Sequence, residues 1–402
     1  MLETRIAKEL AYISQAGLAR RITELYFVNP AQAQDRTGKT YLVLASNNYL
    51  GFTHAPEVIE AASQAALKFG TGSSGSRLTT GGTFIASELE KRLADFKHSE
   101  SALVFNTGYM TNLGVLYGLL QTGDVVFSDE LNHASIIDGC RISRCKVVVY
   151  KHNDMADLQR LLETEIVTGQ RFIVTDGVFS MDGDIADLPS LAVLKKQFNA
   201  CLIVDDAHGV GVIGNDGSGT ASHYGLTDVI DLQVGTLSKA LAAEGGYVAG
   251  KKILIDYLIN RSRPFIFSTA LAPATLAAAN AALLLLQTQA SKYLDSLRAN
   301  SRLMRRLLLE GGLNVVEGIT PIIPVVIGEA GLTMQFADRL KSKGILVSGI
   351  RPPTVPRGES RLRITVTAAH CEEQLRQAAQ IITALWQELK HGERRRLNKC
   401  WE

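Results

Sequence analysis

The strongest constraint on the fold is a series of short apolar runs between residues 102 and 250. Most of them are rich in β-branched residues and lack strict alternation, which is typical of strands buried on both faces. Segments of helical period separate most of them, for example at 110–120 and 156–162. Alternating strands and helices predict an α/β layer around a mostly parallel sheet. The runs cover 102–105, 125–129, 146–150, 171–177, 201–208, 232–236 and 247–250.

The last of these runs has little chain before it for a crossover helix. Gly245 and Gly246 follow Lys239 closely, so we expect strand 247–250 to return antiparallel, as in a hairpin. After it, residues 273–310 predict one long helix rich in alanine and leucine. This helix marks the start of a differently organised part of the chain.

The final third mixes strands with helices. Strand-like runs lie at 322–328, 345–350 and 361–367, a helix is predicted near 331–343, and an amphipathic helix ends the chain. This pattern is typical of a small α+β domain. We therefore expect three units, which are an N-terminal helical segment over 1–45, a large α/β domain over 46–285 and a small α+β domain over 286–402.

Composition excludes several classes of protein. Lys plus Arg number 42 and Asp plus Glu number 40, and this balance argues against a nucleic-acid partner bound by bulk charge. The five cysteines show no metal-ligand spacing, and scattered thiols of odd number indicate a reducing, cytoplasmic setting. The apolar stretch 271–286 contains Pro273 and Asn280, so a helix of a soluble protein is a better interpretation than a membrane span.

The N-terminus shows no apolar leader. Its first residues predict an amphipathic helix that docks on the rest of the protein, because four apolar residues share one helical face. These residues are Leu2, Ile6, Leu10 and Ile13.

The strongest local signal for chemistry is GTLSKAL at 235–241. Lys239 follows an apolar strand in a turn rich in Ser and Thr. Partial desolvation there would lower the pKa of its ammonium group, and a neutral amine can form a Schiff base. The alternative is an ordinary surface lysine.

A second signal is VDDAHGVGVIG at 204–214. Asp205 and Asp206 follow a buried strand, at the edge where α/β proteins bind ligands. Such a carboxylate can pair with a protonated pyridine nitrogen, and His208 could reach the same ring. A helix cap or a structural ion pair is the alternative. The G-x-G-x-x-G spacing at 209–214 is not a dinucleotide fingerprint, since the residues after it are poor helix formers.

Further candidates lie on neighbouring loops. In NTGY a strand runs into a helix, where the free amides of Gly108 and Tyr109 could bind phosphate. His133 could stack on a planar cofactor, although a lone histidine can equally be a packed or capping residue. Ser180, in the turn 177–184, could donate to a phenolic oxygen. No G-x-S-x-G elbow supports a hydrolase.

These motifs occur together in one order along nearly the whole chain. The order resembles that of the α-oxoamine synthase family of pyridoxal-phosphate enzymes, which have fold type I. The resemblance implies a mostly parallel seven-stranded sheet in a large domain with a smaller C-terminal α+β domain. The motifs are SNNYLGF (46–52), GTGSSGSR (70–77), NTGY (106–109), LNHAS (131–135), TDGVFSMDGD (175–184), VDDAHGVGVIG (204–214), GTLSKA (235–240), FSTALAP (267–273) and IRPPTVPRGESRLRITVTAAH (350–370).

The resemblance implies the cofactor pyridoxal 5′-phosphate and a role for each matching residue. Lys239 would hold the cofactor as a Schiff base, Asp205 would pair with its pyridine nitrogen, and His133 would stack on its ring. His208 and Ser180 would contact its phenolic oxygen. The phosphate would be bound by Gly108, Tyr109 and Thr236, and by Ser268 and Thr269 of a partner subunit, which implies a homodimer with shared active sites.

The resemblance also implies the substrates. IRPPTVP resembles the branch of the family that condenses L-alanine with pimeloyl-CoA or a pimeloyl carrier protein in biotin biosynthesis. The alternative is another family reaction, such as condensation of glycine with acetyl-CoA. A second alternative, a scaffold subunit without activity, disagrees with the presence of Lys239 and Asp205.

Four residues match substrate positions of that branch. Arg351 would bind the amino-acid carboxylate, Arg21 and Thr354 the acyl substrate, and Asn47 would also face substrate. Because Arg20 is adjacent, the assignment of Arg21 could be off by one. Asp176 replaces the glutamate of several relatives, and its role stays open at this point.

Overall fold

The computed structural model describes residues 1–15, 17–20 and 22–399. The helices are α1 (Leu2–Gln15), α2 (Pro56–Phe69), α3 (Phe84–Phe96), α4 (Gly108–Leu119), α5 (Ala134–Ser143), α6 (Met155–Thr164), α7 (Leu188–Gln197), α8 (Thr220–His223), α9 (Lys252–Arg261), α10 (Arg263–Ile266), α11 (Pro273–Glu310), α12 (Ala330–Ser342) and α13 (Glu372–Lys399). The strands are β1 (Tyr26–Asn29), β2 (Gln32–Gln34), β3 (Thr40–Val43), β4 (Ser101–Phe105), β5 (Val125–Asp129), β6 (Lys146–Tyr150), β7 (Arg171–Asp176), β8 (Ala200–Asp205), β9 (Leu232–Thr236), β10 (Gly246–Gly250), β11 (Ile322–Gly328), β12 (Ile345–Leu346), β13 (Ser348–Ile350) and β14 (Ser360–Thr365).

A seven-stranded sheet organises the middle of the chain. Its order is β4-β10-β9-β8-β7-β5-β6, and each parallel pair is joined through a helical crossover. β10 is antiparallel to both of its neighbours, which confirms the hairpin-like return predicted after Lys239. The predicted mostly parallel α/β architecture is confirmed.

Both faces of the sheet are buried along its inner strands, as the lack of alternation predicted, whereas the edge strand β6 leaves Val147 and Val149 exposed. Along β8, Leu202 packs into the core that α6 and α7 cover, whereas Ile203 packs into the core beneath α4, α5 and α9. Successive side chains of a strand point to opposite faces, so a strand between two helical layers must be apolar throughout.

Capping side chains start several of the crossover helices. Thr107 accepts a hydrogen bond from the backbone N–H of Met110 (3.0 Å), and Asp154 accepts one from Asp157 (2.9 Å). These caps satisfy amide groups that have no partner inside the helix. They fix where each helix begins, and therefore where each loop at the carboxyl edge of the sheet ends.

The N-terminal region differs from the helical segment expected over 1–45. α1 is present, but no residue of α1 is buried, and its apolar side chains Leu2, Ile6 and Leu10 are exposed. Three short strands, β1–β3, follow it and form a four-stranded sheet with β12. The apolar runs of these strands are too short to stand out in the sequence.

The predicted strand 345–350 is two strands that belong to different sheets. β12 pairs parallel with β3, while β13 pairs antiparallel with β14 in the three-stranded sheet β11-β14-β13. One continuous apolar run therefore ties the N-terminal strands to the C-terminal sheet.

The long helix predicted at 273–310 is confirmed as α11. Its backbone leaves helical geometry at Gln289 (φ −133°, ψ 28°), four residues after the expected boundary between the large and small domains.

The described residues contain no helix with the length and apolar character that crossing a bilayer requires.

A buried ion pair ties α3 to the loop after β8. The Nζ atom of Lys97 lies 3.0 Å from Oδ2 of Asp206, and both side chains are almost fully buried. Asp206 also accepts hydrogen bonds from the backbone N–H and the hydroxyl of Thr220. A side chain at Gly209 or Gly219 would overlap Asp206, so the glycines of this loop give the carboxylate room.

A second charged cluster holds the turn that carries Ser180. His152 contacts Asp129 through Nδ1 (3.0 Å) and Asp184 through Nε2 (2.8 Å). Burial alone would lower the pKa of His152, but the hydrogen bonds to the two carboxylates outweigh it and raise the pKa to about 10. The same turn is tied to β14 by an ion pair between Asp182 and Arg361.

The raised pKa of His152 predicts a pH dependence of stability. Its contribution is complete below the ordinary histidine pKa of 6.5 and is lost as the pH rises towards about 10. We therefore expect His152→Gln to lower the urea midpoint of unfolding most at pH 6, with the difference from wild type shrinking by pH 9.5. The exposed His223 provides the control, because His223→Gln should show no such trend. A constant difference across this range would contradict the charged state of His152.

Candidate active site

The candidate site lies where four parallel strands end. β5, β7, β8 and β9 finish in Asp129, Asp176, Asp205 and Thr236 at one edge of the sheet. A cavity of about 180 Å³ opens there, next to the N-terminus of α4. It brings together eight of the residues predicted from the sequence, which are Gly108, Tyr109, His133, Ser180, Asp205, His208, Thr236 and Lys239.

Lys239 faces this cavity from the turn after β9. Burial lowers the pKa of its ammonium group, and the charge of Arg363 lowers it further, while Asp205 and Asp176 act in the opposite direction. The environment therefore favours the neutral amine more than water does, which agrees with the expectation for a nucleophilic lysine.

Asp205 is held in place by a partner that the sequence reasoning missed. Nδ2 of Asn112 donates to Oδ2 of Asp205 (2.6 Å) and to the hydroxyl of Ser135 (2.9 Å), and all three residues are buried. Asn112 lies one turn after Gly108 on α4, so its closeness to the NTGY motif was the available signal. Asp206, the neighbour of Asp205, belongs to the ion pair with Lys97 and does not line the cavity.

Asp176 supports the loop that carries His133. Its Oδ2 accepts a hydrogen bond from the backbone N–H of His133 (2.8 Å). Burial raises the pKa of Asp176 well above its ordinary value, and repulsion from Asp205, its register partner on β8, adds to the shift. Asp176 therefore lines the cavity itself and also holds the loop that carries His133.

His133 caps a helix and also lines the cavity. It is the N-cap of α5, where its Nδ1 accepts from the backbone N–H of Ser135 (3.3 Å), and its ring lines the cavity. The ring of Tyr109 meets it edge-on, with centroids 6.4 Å apart.

His208 is buried and neutral. Burial lowers its pKa well below the ordinary value, and the charges of Lys239 and Arg363 lower it further. Its Nδ1 lies 2.6 Å from the hydroxyl of Tyr49. Burial raises the pKa of the Tyr49 phenol to about 12, so this hydroxyl stays protonated. Tyr49 lies in the SNNYLGF motif, but its link to His208 spans 159 positions and has no local signal.

The sequence also did not single out Arg363. It lies in a run with clear alternation of apolar and polar residues, which indicated only a structural strand. It is buried and donates to the carbonyl of Ser180, to Asn47 (3.1 Å) and to Thr365 (3.2 Å). Arg363 also lies close enough to lower the pKa values of Lys239 and His208. Asn47 therefore reaches the site through Arg363.

The remaining predicted residues lie elsewhere. Ser268 and Thr269 do not line the cavity of their own chain, and Thr269 pairs with Ser76 of the glycine-rich loop. Arg351 lines a neighbouring cleft and donates to the carbonyl of Ala19 (3.3 Å). Thr354 lies on an exposed turn, and Arg21 falls outside the described residues.

The run at 209–214 is a series of turns followed by α8 and does not open a helix at its glycines. This geometry agrees with the interpretation that its G-x-G-x-x-G spacing is coincidental.

The sequence was compared with protein families and with individual proteins. The family model for aminotransferase class I and II matches residues 39–382. The chain is 47% identical to 8-amino-7-oxononanoate synthase from Lysinibacillus sphaericus, over 93% of this chain and 96% of that protein. It is 49% identical to 8-amino-7-oxononanoate synthase from Trichlorobacter lovleyi, over 96% of this chain and 98% of that protein.

Among solved structures, serine palmitoyltransferase from S. paucimobilis with a bound pyridoxal-phosphate adduct has the same fold. Its TM-score is 0.90 at 31% sequence identity, and the match covers 96% of this chain and 97% of that chain. The chain therefore belongs to the aminotransferase class I and II family, and within it to the family of 8-amino-7-oxononanoate synthases.

Proposed function

We propose that this protein condenses L-alanine with a pimeloyl thioester to give 8-amino-7-oxononanoate, carbon dioxide and the free thiol. The observation that carries the proposal is the identity of 47–49% to synthases of this name over nearly the whole chain. A buried lysine beside two carboxylates, at the edge of an α/β sheet, is consistent with the chemistry of this reaction.

The cavity fits pyridoxal 5′-phosphate, the cofactor of this reaction. A side chain at Gly108 would approach Thr236 to 3.3 Å, so only glycine leaves this end of the cavity open for a phosphate. The N-terminal amides of α4 face that end, and Asp205 and Lys239 line the cavity as well. When bound, the cofactor supplies an electron sink for negative charge that develops at the Cα atom of alanine.

The residues around the cofactor divide into three groups in our proposal. The amides of Gly108 and Tyr109 and the hydroxyl of Thr236 bind the phosphate. Asp205, fixed by Asn112, keeps the pyridine nitrogen protonated, and His133 covers the ring.

The phenolic oxygen of the cofactor is the target of the third group. The hydroxyl of Tyr49 lies 2.6 Å from Nδ1 of the neutral His208. We assign the tautomer in which Nδ1 accepts from Tyr49, so that the Nε2–H of His208 would donate to that oxygen of the cofactor. Ser180 contributes a second donor from the turn that His152 holds.

Proton transfer is the task of Lys239. Its free, neutral Nζ accepts the proton from Cα of alanine, and the new carbon–carbon bond forms to the thioester carbonyl. The carbon–sulfur bond breaks, and the leaving thiolate takes up a proton from water. The carbon–carbon bond to the alanine carboxylate then breaks to release carbon dioxide, and Nζ returns a proton to Cα. The lowered pKa of Lys239 suits both steps.

Two arginines are candidates for binding the alanine carboxylate. The sequence favoured Arg351, but Arg363 is the arginine whose charge acts on Lys239 and His208. A guanidinium group can bind a carboxylate through two parallel hydrogen bonds. We therefore assign the carboxylate to Arg363, with Asn47 orienting its side chain.

We further propose a homodimer in which Ser268 and Thr269 complete the phosphate site of the partner. They lie on an exposed segment beside the glycine-rich loop, together with exposed apolar side chains of Leu78, Phe84 and Phe267. A second copy of the chain would cover this apolar surface and bring the two hydroxyls to a cavity that lacks them.

Substitution of Lys239 tests the proposed function. We expect Lys239→Ala to lose turnover of alanine with pimeloyl-CoA, because no other amine of the described residues lines the cavity. It should also lose covalent attachment of the cofactor after borohydride reduction, as measured by mass spectrometry of the intact chain. Lys196→Ala, which changes an exposed lysine on α7, is the control. Normal activity in the Lys239→Ala variant would refute the assignment.

The two arginines can be separated by steady-state kinetics. Arg363→Lys should raise the KM for alanine by about tenfold or more, because an ammonium group cannot make the paired hydrogen bonds. Arg351→Lys should change this KM by no more than about twofold. The thermal midpoint of each variant shows whether its fold is intact. The reverse pattern would show that Arg351, and not Arg363, binds the alanine carboxylate.

Shared active sites can be tested with hybrid dimers. Lys239→Ala and the double variant Ser268→Ala/Thr269→Ala should each be nearly inactive alone. A hybrid of the two contains one site in which Lys239 and both hydroxyls are intact, so co-expression should restore up to about half of the activity per dimer. Hybrids as inactive as their parents would show that each site is built from one chain.

A further inference from the structure

A second, larger cleft lies next to the candidate active site. Its volume is about 740 Å³, and its walls come from the N-terminal segment, β3, α12 and the strands β12 and β13. Its apolar side chains include Leu25, Phe27, Met334 and Leu346. A cleft of this volume with mostly apolar walls is typical of a site for an organic ligand.

Among the described residues of the cleft, two cationic side chains interrupt these apolar walls. Lys341 and Arg351 are both half-buried, and in the described parts of the chain no carboxylate lies within 4.0 Å of either of them. Nζ of Lys341 has one long contact, to the hydroxyl of Thr23 at 3.4 Å, whereas Arg351 donates to a backbone carbonyl. The exposed Asp338 also lines the cleft, so the described residues of its walls carry one net positive charge.

The cleft adjoins the Lys239 cavity through one short loop. Ser46 lines the cleft, and the next residue, Asn47, binds Arg363 at the cavity. The strand that carries Arg363 is paired with β13, where Ser348 is the register partner of Arg363. A substrate whose reacting end lies in the Lys239 cavity could therefore extend its chain into the cleft.

The proposed product determines what the cleft must accommodate. In 8-amino-7-oxononanoate the amino and oxo groups lie at one end and a carboxylate at the other, joined by a chain of methylene groups. The acyl donor therefore carries an anion at the far end of an apolar chain. Such a group needs apolar walls along its length and a cation where it ends.

We propose that the cleft binds the acyl chain of the thioester and that Lys341 binds the carboxylate at its far end. This inference rests on the proposed function and extends it to the residue that selects a dicarboxylic acyl group. Both cations make one long contact, and we choose Lys341 because its contact is to a neutral hydroxyl at 3.4 Å, which is a weaker acceptor than the backbone carbonyl that Arg351 contacts at 3.3 Å.

Kinetics with two donors tests the proposal. Wild-type holoenzyme should prefer pimeloyl-CoA to heptanoyl-CoA, which has the same chain length but lacks the carboxylate. Lys341→Met should lower kcat/KM for pimeloyl-CoA by about tenfold or more and leave heptanoyl-CoA nearly unchanged, since only the charged contact is lost. Lys341→Arg should retain most of the preference. Lys343→Met, which changes an exposed lysine beyond the cleft, is the matched control.

Three results would overturn the proposal. An equal loss with both donors would indicate that Lys341 contacts the thiol part of the donor, such as the phosphates of CoA. An unchanged preference in Lys341→Met would show that another group binds the carboxylate. A wild-type enzyme that uses both donors equally well would show that no residue selects for the terminal carboxylate.

Failure of the proposed function would have a different signature, because wild type would then condense alanine with neither donor. Calorimetry of the holoenzyme with free pimelate and free heptanoate separates the two cases. Tighter binding of pimelate that is lost in Lys341→Met would support the cleft assignment without any turnover. Equal binding of the two acids to wild type would contradict it.

Discussion

The site depends on two carboxylates that the sheet forces together. Asp176 and Asp205 end neighbouring parallel strands and are register partners, so their side chains share a buried edge. Two like charges in such a place are costly, and burial together with the charge of Asp205 therefore raises the pKa of Asp176. The amide of Asn112 donates to Asp205 and the backbone N–H of His133 donates to Asp176, and both carboxylates oppose the lowering of the pKa of Lys239. The same groups are those the proposed chemistry requires.

The consecutive residues Asp205 and Asp206 have different surroundings. Asp205 ends β8 and turns into the cavity, whereas Asp206 turns into the protein and pairs with Lys97. The ion pair anchors the loop that carries His208 to α3. A rigid loop beside the cavity keeps His208 buried and neutral, and its contact with Tyr49 ties the loop to the N-terminal part of the chain. In the proposed mechanism, stability and catalysis thus use neighbouring residues for different purposes.

Local patterns predicted the central part of the fold well. The runs between 102 and 250 became the seven strands of the large sheet, and the long helix after Ala272 has the predicted bounds. The strands of the N-terminal region were missed, because β1, β2 and β3 are only three or four residues long and derive their stability from each other and from β12. The split of 345–350 was missed for a related reason, since the pairing partners of a strand lie outside its own sequence.

For the site, the sequence by itself determined the residues whose chemistry is visible in a short motif, which are Lys239, Asp205, His208 and the glycine at the start of α4. Only the tertiary structure identified Asn112, Tyr49 and Arg363. Their roles come from contacts with residues 93, 159 and 316 positions away, and such contacts exist only after the strands have assembled. Chain neighbours determine secondary structure and loop chemistry, whereas the packing of the sheets decides which distant side chains meet at its edge.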